Sequence, residues 1–265
     1  MFTFKLQYTG LFFEFDHTLS LWLCSLNHSD NSISRRRLHH HPSAENNYLI
    51  IHLTKEIILP LIQVASSDRC RTCAVVGNSG NLNGSRYGPL IDFHDVIIRI
   101  NSGRTKGYEA DVGKRTTHHV MYPESAVDLD NTTHLVLVPF KIQDLEWLIK
   151  AFTTGSYMPV KSHIKANKDL VMVVNPAFMR YVHDTWLEKK GRYPSTGFMA
   201  LVLALHICDE VSVFGYGADK DGNWSHYWEK LKKLKLKTGV HPGSHEYDII
   251  KQLAENQTVG FYTGW

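Results

Sequence analysis

Five short runs of apolar, mostly β-branched residues are spread along the chain between residues 73 and 214. Each run is nearly continuous rather than alternating, which is typical of strands that are covered on both faces of a parallel sheet. The pattern therefore predicts a sheet in the interior of the protein. Its predicted strands are Cys73–Val76, Val96–Ile100, Leu135–Val138, Leu170–Val174 and Val211–Phe214.

Between several of these runs, apolar residues recur every three or four positions, as they do in helices that pack one face on a core. This spacing occurs in Asp144–Ile149 and in Pro176–Trp186. Phe198–Leu205 is apolar on every side, so we expect that helix to be buried. Alternating strands and helices predict a single α/β domain with a mainly parallel sheet, whose ligands bind beyond the carboxyl ends of the strands.

The first predicted strand ends in the turn Gly77–Asn81, which consists wholly of glycine, asparagine and serine. Glycines allow close backbone approach, and a strand-to-helix turn directs N–H groups outward, so this turn suits a phosphate or a nucleotide. It lacks the Lys-Ser/Thr ending of a P-loop and the third glycine of the dinucleotide fingerprint. A tight turn without a ligand fits the same residues.

Three further clusters follow in order along the chain. They are Gly191–Gly197, Asn223–Glu229, and Thr238–His241 with Glu246 after it. In order, spacing and residue identity, the four segments resemble the large, small, third and very small sialylmotifs of eukaryotic sialyltransferases. The motif residues are most similar to those of the beta-galactoside alpha-2,3-sialyltransferases that act on Gal-beta-1,3-GalNAc. The resemblance extends from about residue 70 to about residue 252.

This resemblance implies a single Rossmann-like glycosyltransferase domain, the sialyltransferase variant of the GT-A fold. It also implies inverting transfer of sialic acid from CMP-sialic acid to the 3-hydroxyl of galactose. CMP leaves as a monophosphate, so hydrogen-bond donors can replace the divalent metal of enzymes that use UDP-sugars. We therefore expect no metal and no other cofactor. The expected partners are CMP-sialic acid and galactose-terminated O-glycans of glycoproteins or glycolipids.

The resemblance assigns His241 as the catalytic base, with Glu246 completing the His-x4-Glu pattern of the very small motif. An imidazole accepts a proton near neutral pH, which suits this role. His245, beside Glu246, has no counterpart in the motif and is predicted to be an ordinary surface residue.

Three more residues resemble catalytic residues of the family. His226 matches the third-motif histidine that donates to the departing phosphate, and Ser225 stands where the family commonly has a second histidine. Tyr193 and Tyr157 match tyrosines at the phosphate and sugar end of the site. Packing in the core is the alternative role for both tyrosines.

Donor-binding residues are predicted in the first turn, at the end of the second strand, in the second cluster and after the last strand. A helix amino terminus beside the second cluster adds partial positive charge. The set is Asn78, Ser79, Asn81, Asn101, Ser195, Thr196, Gly197, Tyr216 and Gly217. Trp224, together with Tyr193, is predicted to bind the acceptor, because aromatic faces pack against the apolar side of galactose; a core role for Trp224 is the alternative.

Four cysteines occur, at positions 24, 70, 73 and 208. No further ligands at similar spacing accompany Cys70 and Cys73, which favours a structural thiol or a disulfide over zinc. The resemblance implies a disulfide between Cys73 and Cys208, and hence an oxidising lumen. It also implies a partner for Cys70, for which only Cys24 is left. Five sequons agree with a secretory location, at Asn27, Asn83, Asn131, Asn223 and Asn256.

Residues 1–69 do not share the pattern of the rest, and we interpret them as an atypical amino-terminal segment or a stem remnant ahead of a catalytic domain at 70–265. Charged residues interrupt the apolar stretch Leu11–Cys24 before it reaches the roughly 18 to 20 apolar residues of a membrane span. The family's enzymes carry a membrane anchor, and no stretch of residues 1–69 shows the pattern of one. The resemblance implies a type II membrane protein of the Golgi lumen.

The chain has 265 residues, 43% of them hydrophobic, which is enough for one substantial core. Its formal charge of +3 gives no reason to expect nucleic-acid binding. Two acidic triplets, Asp128–Asp130 and Asp219–Asp221, are candidate metal ligands, although ordinary surface loops explain both. Two rival functions stay open: a catalytically inactive nucleotide-binding or scaffolding homologue, and a sialyltransferase with another acceptor.

Overall fold

The computed structural model describes residues 70–219, 221–222, 224–229 and 240–264, and the backbone of two strands near the amino terminus. Those strands, β1 (Phe4–Tyr8) and β2 (Leu11–Phe15), pair antiparallel. The sequons at Asn27 and Asn223 and the pairing of Cys70 with Cys24 lie outside the described residues.

Seven parallel strands form the main sheet, in the order β7-β6-β5-β4-β3-β8-β9. Their bounds are β3 (Thr72–Val76), β4 (Val96–Ile100), β5 (His118–Met121), β6 (His134–Leu137), β7 (Val171–Val173), β8 (Glu210–Phe214) and β9 (Gly260–Tyr262). The parallel α/β sheet predicted from the sequence is therefore confirmed.

Helices connect the strands and cover the sheet. The α-helices are α1 (Gly88–Phe93), α2 (Glu109–Val112), α3 (Ile142–Ala151), α4 (Pro176–Tyr181), α5 (Thr196–Ile207) and α6 (Gly243–Glu255). A π-helix at Val182–Trp186 continues α4, and short 3-10 helices lie at Gly80–Leu82, Pro123–Ser125 and Lys168–Leu170. In the part of the chain that the structure describes, no helix combines the length and the apolar character that a membrane span requires.

The direction in which the sheet grows reverses between β3 and β8. From β3 the chain adds β4, β5, β6 and β7 on one side, and it then returns to place β8 and β9 on the other side. In open α/β sheets a crevice forms at such a reversal, beyond the carboxyl ends of the two strands. The turns after β3 and β8 therefore meet where a ligand is expected.

Helix α5 forms the centre of one core. Nine of its residues are buried, and it packs on β3, β4, β5 and β8. Along β3, Cys73 and Val75 belong to this core, whereas Ala74 and Val76 belong to a second core on the opposite face of the sheet. Because side chains alternate along a strand, burial on both faces explains why Cys73–Val76 contains no polar residue.

A disulfide joins Cys73 in β3 to Cys208, the residue directly after α5, with a Cα–Cα distance of 6.0 Å. The pairing implied by the family resemblance is therefore confirmed. It links the strand that precedes the first glycine-rich turn to the helix that follows the second cluster.

Two strands differ from the sequence-based expectation. β5 was not predicted, because it begins with two histidines, and both are buried in the sheet: His118 is 7% exposed and His119 is 4% exposed. β9 was not predicted either, because it is a three-residue edge strand that begins with glycine. The helix predicted over Pro176–Trp186 changes from α to π geometry after Tyr181.

Candidate active site

A cavity of about 500 Å³ lies at the carboxyl edge of the sheet, above β3, β4 and β8. It brings together residues from all four sequence clusters. Of the predicted site residues, those that line it are Asn78, Ser79, Asn101, Tyr193, Ser195, Thr196, Gly197, Tyr216, Gly217, Trp224, His226 and His241.

The turns after β3 and β8 are hydrogen-bonded to each other at the floor of this cavity. The Gly77 N–H donates to the Phe214 carbonyl at 2.7 Å, and the Ser79 N–H donates to the Gly215 carbonyl at 2.9 Å. A Cβ on Gly77 would lie 2.3 Å from the Gly215 oxygen, so only glycine permits this approach. The glycines of the two turns thus hold the halves of the crevice together.

Two asparagines line the side of the cavity next to β4. Asn78 Nδ2 donates to the Ile100 carbonyl at 3.1 Å. Asn101 adopts a left-handed backbone conformation with φ of 51°. Its two carbonyl oxygens both accept hydrogen bonds, the backbone oxygen from His119 Nε2 at 2.5 Å and Oδ1 from Ser125 Oγ at 3.0 Å. These bonds fix the amide at the mouth of β4.

Asn81, which was predicted to bind the donor, does not line the cavity. Its side chain is 3% exposed, and Nδ2 donates to the Tyr216 carbonyl at 2.9 Å. In this position Asn81 holds the segment after β8 against the first turn. A donor-binding role for Asn81 stays a prediction.

The second cluster forms the amino terminus of α5, which faces the cavity. Ser195 caps the helix, since its Oγ accepts from the Phe198 N–H at 3.1 Å. Glu246, at the start of α6, accepts from both the Ser195 N–H and the Ser195 Oγ. A helix amino terminus offers N–H groups and partial positive charge, so this edge suits an anion such as a phosphate.

The segment after β8 forms another wall. Tyr216 Oη donates to the Gly197 carbonyl at 2.8 Å, and burial, together with the charge of Glu246, raises the pKa of this phenol, so Tyr216 stays neutral. Gly217 has a φ of 90°, and a Cβ there would lie 2.6 Å from the Tyr247 ring. The Tyr247 ring packs edge-on against Trp224, with centroids 6.0 Å apart.

His241 lies at the opposite wall, beside Tyr193. His241 Nδ1 is 3.1 Å from the Tyr193 carbonyl oxygen, and the two rings pack edge-on with centroids 4.9 Å apart. A carbonyl oxygen only accepts, so Nδ1 carries the proton and Nε2 is the basic nitrogen of the neutral ring. Phe140 packs on Tyr193 and also contacts Tyr122, which completes an aromatic wall.

His226 reaches the cavity from a segment that crosses the first turn. The Tyr227 N–H donates to the Asn78 carbonyl at 3.0 Å, and the Gly80 N–H donates to the Ser225 carbonyl at 2.7 Å. The third cluster is thus hydrogen-bonded to the first on both sides of His226. The His226 ring is half-buried, with Nδ1 2.6 Å from Glu229 Oε1.

Tyr157 and His245 lie outside the cavity lining. Tyr157 is 90% exposed, and Lys150 Nζ lies 5.5 Å from the centre of its ring. Its predicted catalytic role stays a prediction. His245 Nε2 is 3.4 Å from Lys190 Nζ on the outside of the protein, in agreement with the surface position predicted for it.

The electrostatic character of the cavity comes from neutral donors, two imidazoles, a helix terminus and the buried Glu246 carboxylate. Among the described residues that line it, there is no lysine and no arginine. The acidic triplets do not line it either. Asp128 accepts from Lys161 and Lys165, and Asp130 accepts from two threonines of its own loop. No group of three metal-ligating side chains is found in the described ranges.

Several lining residues were not singled out from the sequence. Tyr122, Phe140 and Tyr247 are aromatic, and aromatic residues give no sequence signal that separates a cavity wall from a core. The Glu246 carboxylate was noted only as part of the very small motif. It lines the cavity and is 6% exposed, and burial raises its pKa, an effect that the hydrogen bonds from Ser195 and the positive charge of nearby histidines oppose.

Comparisons with known proteins agree with the four motifs. The model of glycosyltransferase family 29 (sialyltransferase) matches residues 25–258. The CMP-N-acetylneuraminate-beta-galactosamide-alpha-2,3-sialyltransferase 2 of Mus musculus is 44% identical over 94% of this chain and 78% of its own length. The corresponding sialyltransferase 1 of Mus musculus is 51% identical over 74% of this chain, and the match covers 60% of that relative.

Solved structures match as well. The crystal structure of a mammalian sialyltransferase superposes with a TM-score of 0.73 at 47% identity, over 82% of this chain and 77% of that one. A mammalian sialyltransferase in complex with Gal-beta-1-3GalNAc-ortho-nitrophenol superposes with a TM-score of 0.69 at 44% identity, over 82% of this chain and 84% of that one.

Proposed function

Since the chain belongs to glycosyltransferase family 29, the sialyltransferases, we propose that it transfers sialic acid from CMP-sialic acid to the 3-hydroxyl of galactose in Gal-beta-1,3-GalNAc. The family predicted from the four motifs is confirmed by this membership. The acceptor follows from two similarities: relatives named as beta-galactosamide alpha-2,3-sialyltransferases, and a similar structure in complex with a Gal-beta-1-3GalNAc compound.

The observation that carries the proposal is the meeting of His226, His241 and two glycine-rich turns around one cavity. In our proposal the phosphate of CMP lies between the first turn, the amino terminus of α5 and His226. The acceptor lies against Trp224 and Tyr193. This places the two imidazoles at the two ends of the reaction, one at the leaving group and one at the nucleophile.

The proposed reaction is a single inverting displacement. The bond between the anomeric carbon of sialic acid and the phosphate oxygen breaks, and a bond from galactose O3 to that carbon forms on the opposite face. His241 Nε2 takes the proton of the 3-hydroxyl. His226 donates a hydrogen bond to the phosphate oxygen on which negative charge develops. Neutral donors of the two turns hold the rest of the nucleotide.

We further propose that the reaction needs no divalent metal. The departing phosphate is a monoester, and the cavity surrounds it with N–H and O–H donors. The Asp128 carboxylate accepts from Lys161 and Lys165, the Asp130 carboxylate accepts from threonines of its own loop, and neither residue lines the cavity. Full activity in excess chelator would support this proposal, whereas activity that returns only with added manganese would contradict it.

The compartment is likewise a proposal: a Golgi-lumenal domain of a type II membrane protein. The Cys73–Cys208 disulfide requires an oxidising environment to form. The sequon asparagines Asn83, Asn131 and Asn256 are exposed, as glycan acceptors must be. Imaging of the complete protein in cells, with and without release by detergent, would test the location.

The decisive experiment is a transfer assay with CMP-sialic acid and defined acceptors, followed by linkage analysis of the product. We expect transfer to Gal-beta-1,3-GalNAc with a 3-linked product. A mainly 6-linked product, or a preference for a different terminal disaccharide, would overturn the acceptor assignment. CMP binding without transfer to any acceptor would favour the inactive nucleotide-binding homologue.

A further inference from the structure

The His226 ring is held by two neighbours from its own short segment. Its Nδ1 lies 2.6 Å from Glu229 Oε1, and its face stacks on the Trp228 ring with centroids 4.5 Å apart and planes 12° from parallel. The Glu229 N–H also donates to the His226 carbonyl at 3.1 Å, which closes the segment into a tight turn. The ring is therefore fixed both at one edge and on one face.

The backbone of this segment is fixed as well. Hydrogen bonds on either side of His226 join it to the first glycine-rich turn, and His226 forms a β-bridge with Ser79. These bonds hold the main chain at His226 against the first turn. Since Nδ1 is occupied by Glu229, the ring nitrogen that remains for the cavity is Nε2.

An ionised carboxylate only accepts hydrogen bonds, so Nδ1 must carry a proton. A neutral ring with its proton on Nδ1 has a bare Nε2, which accepts and cannot donate to a phosphate. A phosphate donor at Nε2 therefore has to be the doubly protonated, cationic ring. Both neighbours favour that form: the carboxylate by its charge, and the Trp228 face by attraction of a cation to the aromatic ring.

We propose that Glu229 is a positioning residue that holds His226 as the imidazolium, with Nε2–H directed at the donor phosphate. This inference rests on the proposed sialyltransferase function. It explains where the positive charge beside the departing phosphate comes from. The described residues that line the cavity include no lysine or arginine, so a cationic His226 would supply positive side-chain charge in the cavity wall for an anionic donor. Glu229 does not line the cavity, and it acts on the donor only by way of its hydrogen bond to His226.

The test compares Glu229→Ala and Glu229→Gln, with CMP and cytidine as competitive inhibitors. Glutamine can still accept from Nδ1 and keep the ring oriented, but it lacks the charge. We expect Glu229→Ala to weaken CMP binding and lower kcat by about tenfold to a hundredfold each, less than removal of the donor itself. Glu229→Gln should lose about tenfold. Cytidine has no phosphate, and its affinity should not change in either variant.

Glu255→Ala, at the exposed far end of α6, is the matched control and should behave like the wild type. Equal losses for CMP and cytidine would show that Glu229 merely supports the fold of the segment, and unchanged CMP affinity and kcat in Glu229→Ala would remove it from the mechanism. Either result overturns the inference while the wild type still transfers. Failure of the proposed function would instead appear as a wild type that transfers to no acceptor.

Discussion

Glu246 accepts two hydrogen bonds from Ser195, one from the backbone N–H at 2.7 Å and one from Oγ at 2.6 Å. Ser195 Oγ in turn caps α5 by accepting from the Phe198 N–H. The start of α6 is thereby joined to the start of α5, and His241 lies in the loop two residues before Gly243, where α6 begins. The loop that carries His241 and the second cluster are therefore held together by the Ser195–Glu246 hydrogen bonds.

Glu246→Gln should loosen this unit. A glutamine presents one acceptor and one donor group to Ser195, which offers two donors, so one buried donor loses its partner. We expect a loss of about 1 to 3 kcal/mol in the free energy of unfolding and a weaker affinity for CMP. Urea unfolding and CMP titration measure the two effects. Glu255→Gln, which lies exposed on the same helix, is the control; equal behaviour of the two variants would contradict the prediction.

His241→Ala should nearly abolish transfer while CMP binding stays close to that of the wild type. A base acts on the acceptor proton, and its loss typically costs about a hundredfold to ten-thousandfold in rate. His226→Ala should weaken both donor use and turnover, because a phosphate donor contacts the nucleotide before and during bond breaking.

His245→Ala is the matched control, because His245 lies four residues after His241, in α6 and outside the cavity lining, so its loss should cost little. Transfer rates and CMP affinities of the three variants are compared. If His245→Ala were inactive and His241→Ala active, the base would be assigned to the wrong histidine.

The Cys73–Cys208 disulfide closes a loop of 135 positions. In the chain-entropy model such a crosslink contributes roughly 4 to 5 kcal/mol, so the double variant Cys73→Ser, Cys208→Ser should be much less stable. Mass mapping of non-reduced protein from a secretory source should recover the linked peptide pair. Two unmodified thiols in that material would show that the bond does not form there.

The sequence predicted those parts of the fold in which burial alone decides the pattern. β3, β4 and β8 are mainly apolar because both of their faces are covered, and α5 is apolar on every side for the same reason. β5 breaks the pattern, because histidines at its first two positions are accommodated by hydrogen bonds to Thr117 and Asn101 that no sequence pattern reveals.

In the candidate site, too, the sequence predicted some residues and missed others. The turns and histidines of the motifs meet around the cavity, since strands end at a common edge and motif residues follow them. Asn81 stands in a motif turn but is directed at the Tyr216 carbonyl, away from the cavity. Tyr122 and Phe140 were missed because their positions depend on how loops far apart in the chain pack together.

The stability of the protein should fall as the pH drops below neutral, and His118 is one cause. His118 is buried in β5 and stacks on His134 of the neighbouring strand, with centroids 4.5 Å apart. Burial, together with the charges of His134 and Arg71, lowers the pKa of His118 from 6.5 to about 4. Its Nε2 has no hydrogen-bond partner among the described residues, so nothing there stabilises a second proton.

His119, the next residue, adds to the effect. Burial lowers the pKa of His119 to about 4. The hydrogen bond to the Asn101 carbonyl opposes this change, and the charge of Arg99 adds to it. Both pKa values are lower in the folded protein than in the unfolded chain. The unfolded chain therefore takes up these protons first as the pH falls. The contribution of the two neutral histidines to stability is fully present above about pH 6.5 and is lost between about pH 6.5 and about pH 4.

Each histidine should contribute a slope of about 1.4 kcal/mol per pH unit within that window. Urea unfolding of the wild type and of His118→Gln between pH 7.5 and pH 4.5 measures the difference. Glutamine cannot take up the proton, so the variant should lose stability less steeply below pH 6.5, even if it is less stable at pH 7.5. His245→Gln serves as the control. Identical slopes for the wild type and His118→Gln would show that His118 is not a source of the acid sensitivity.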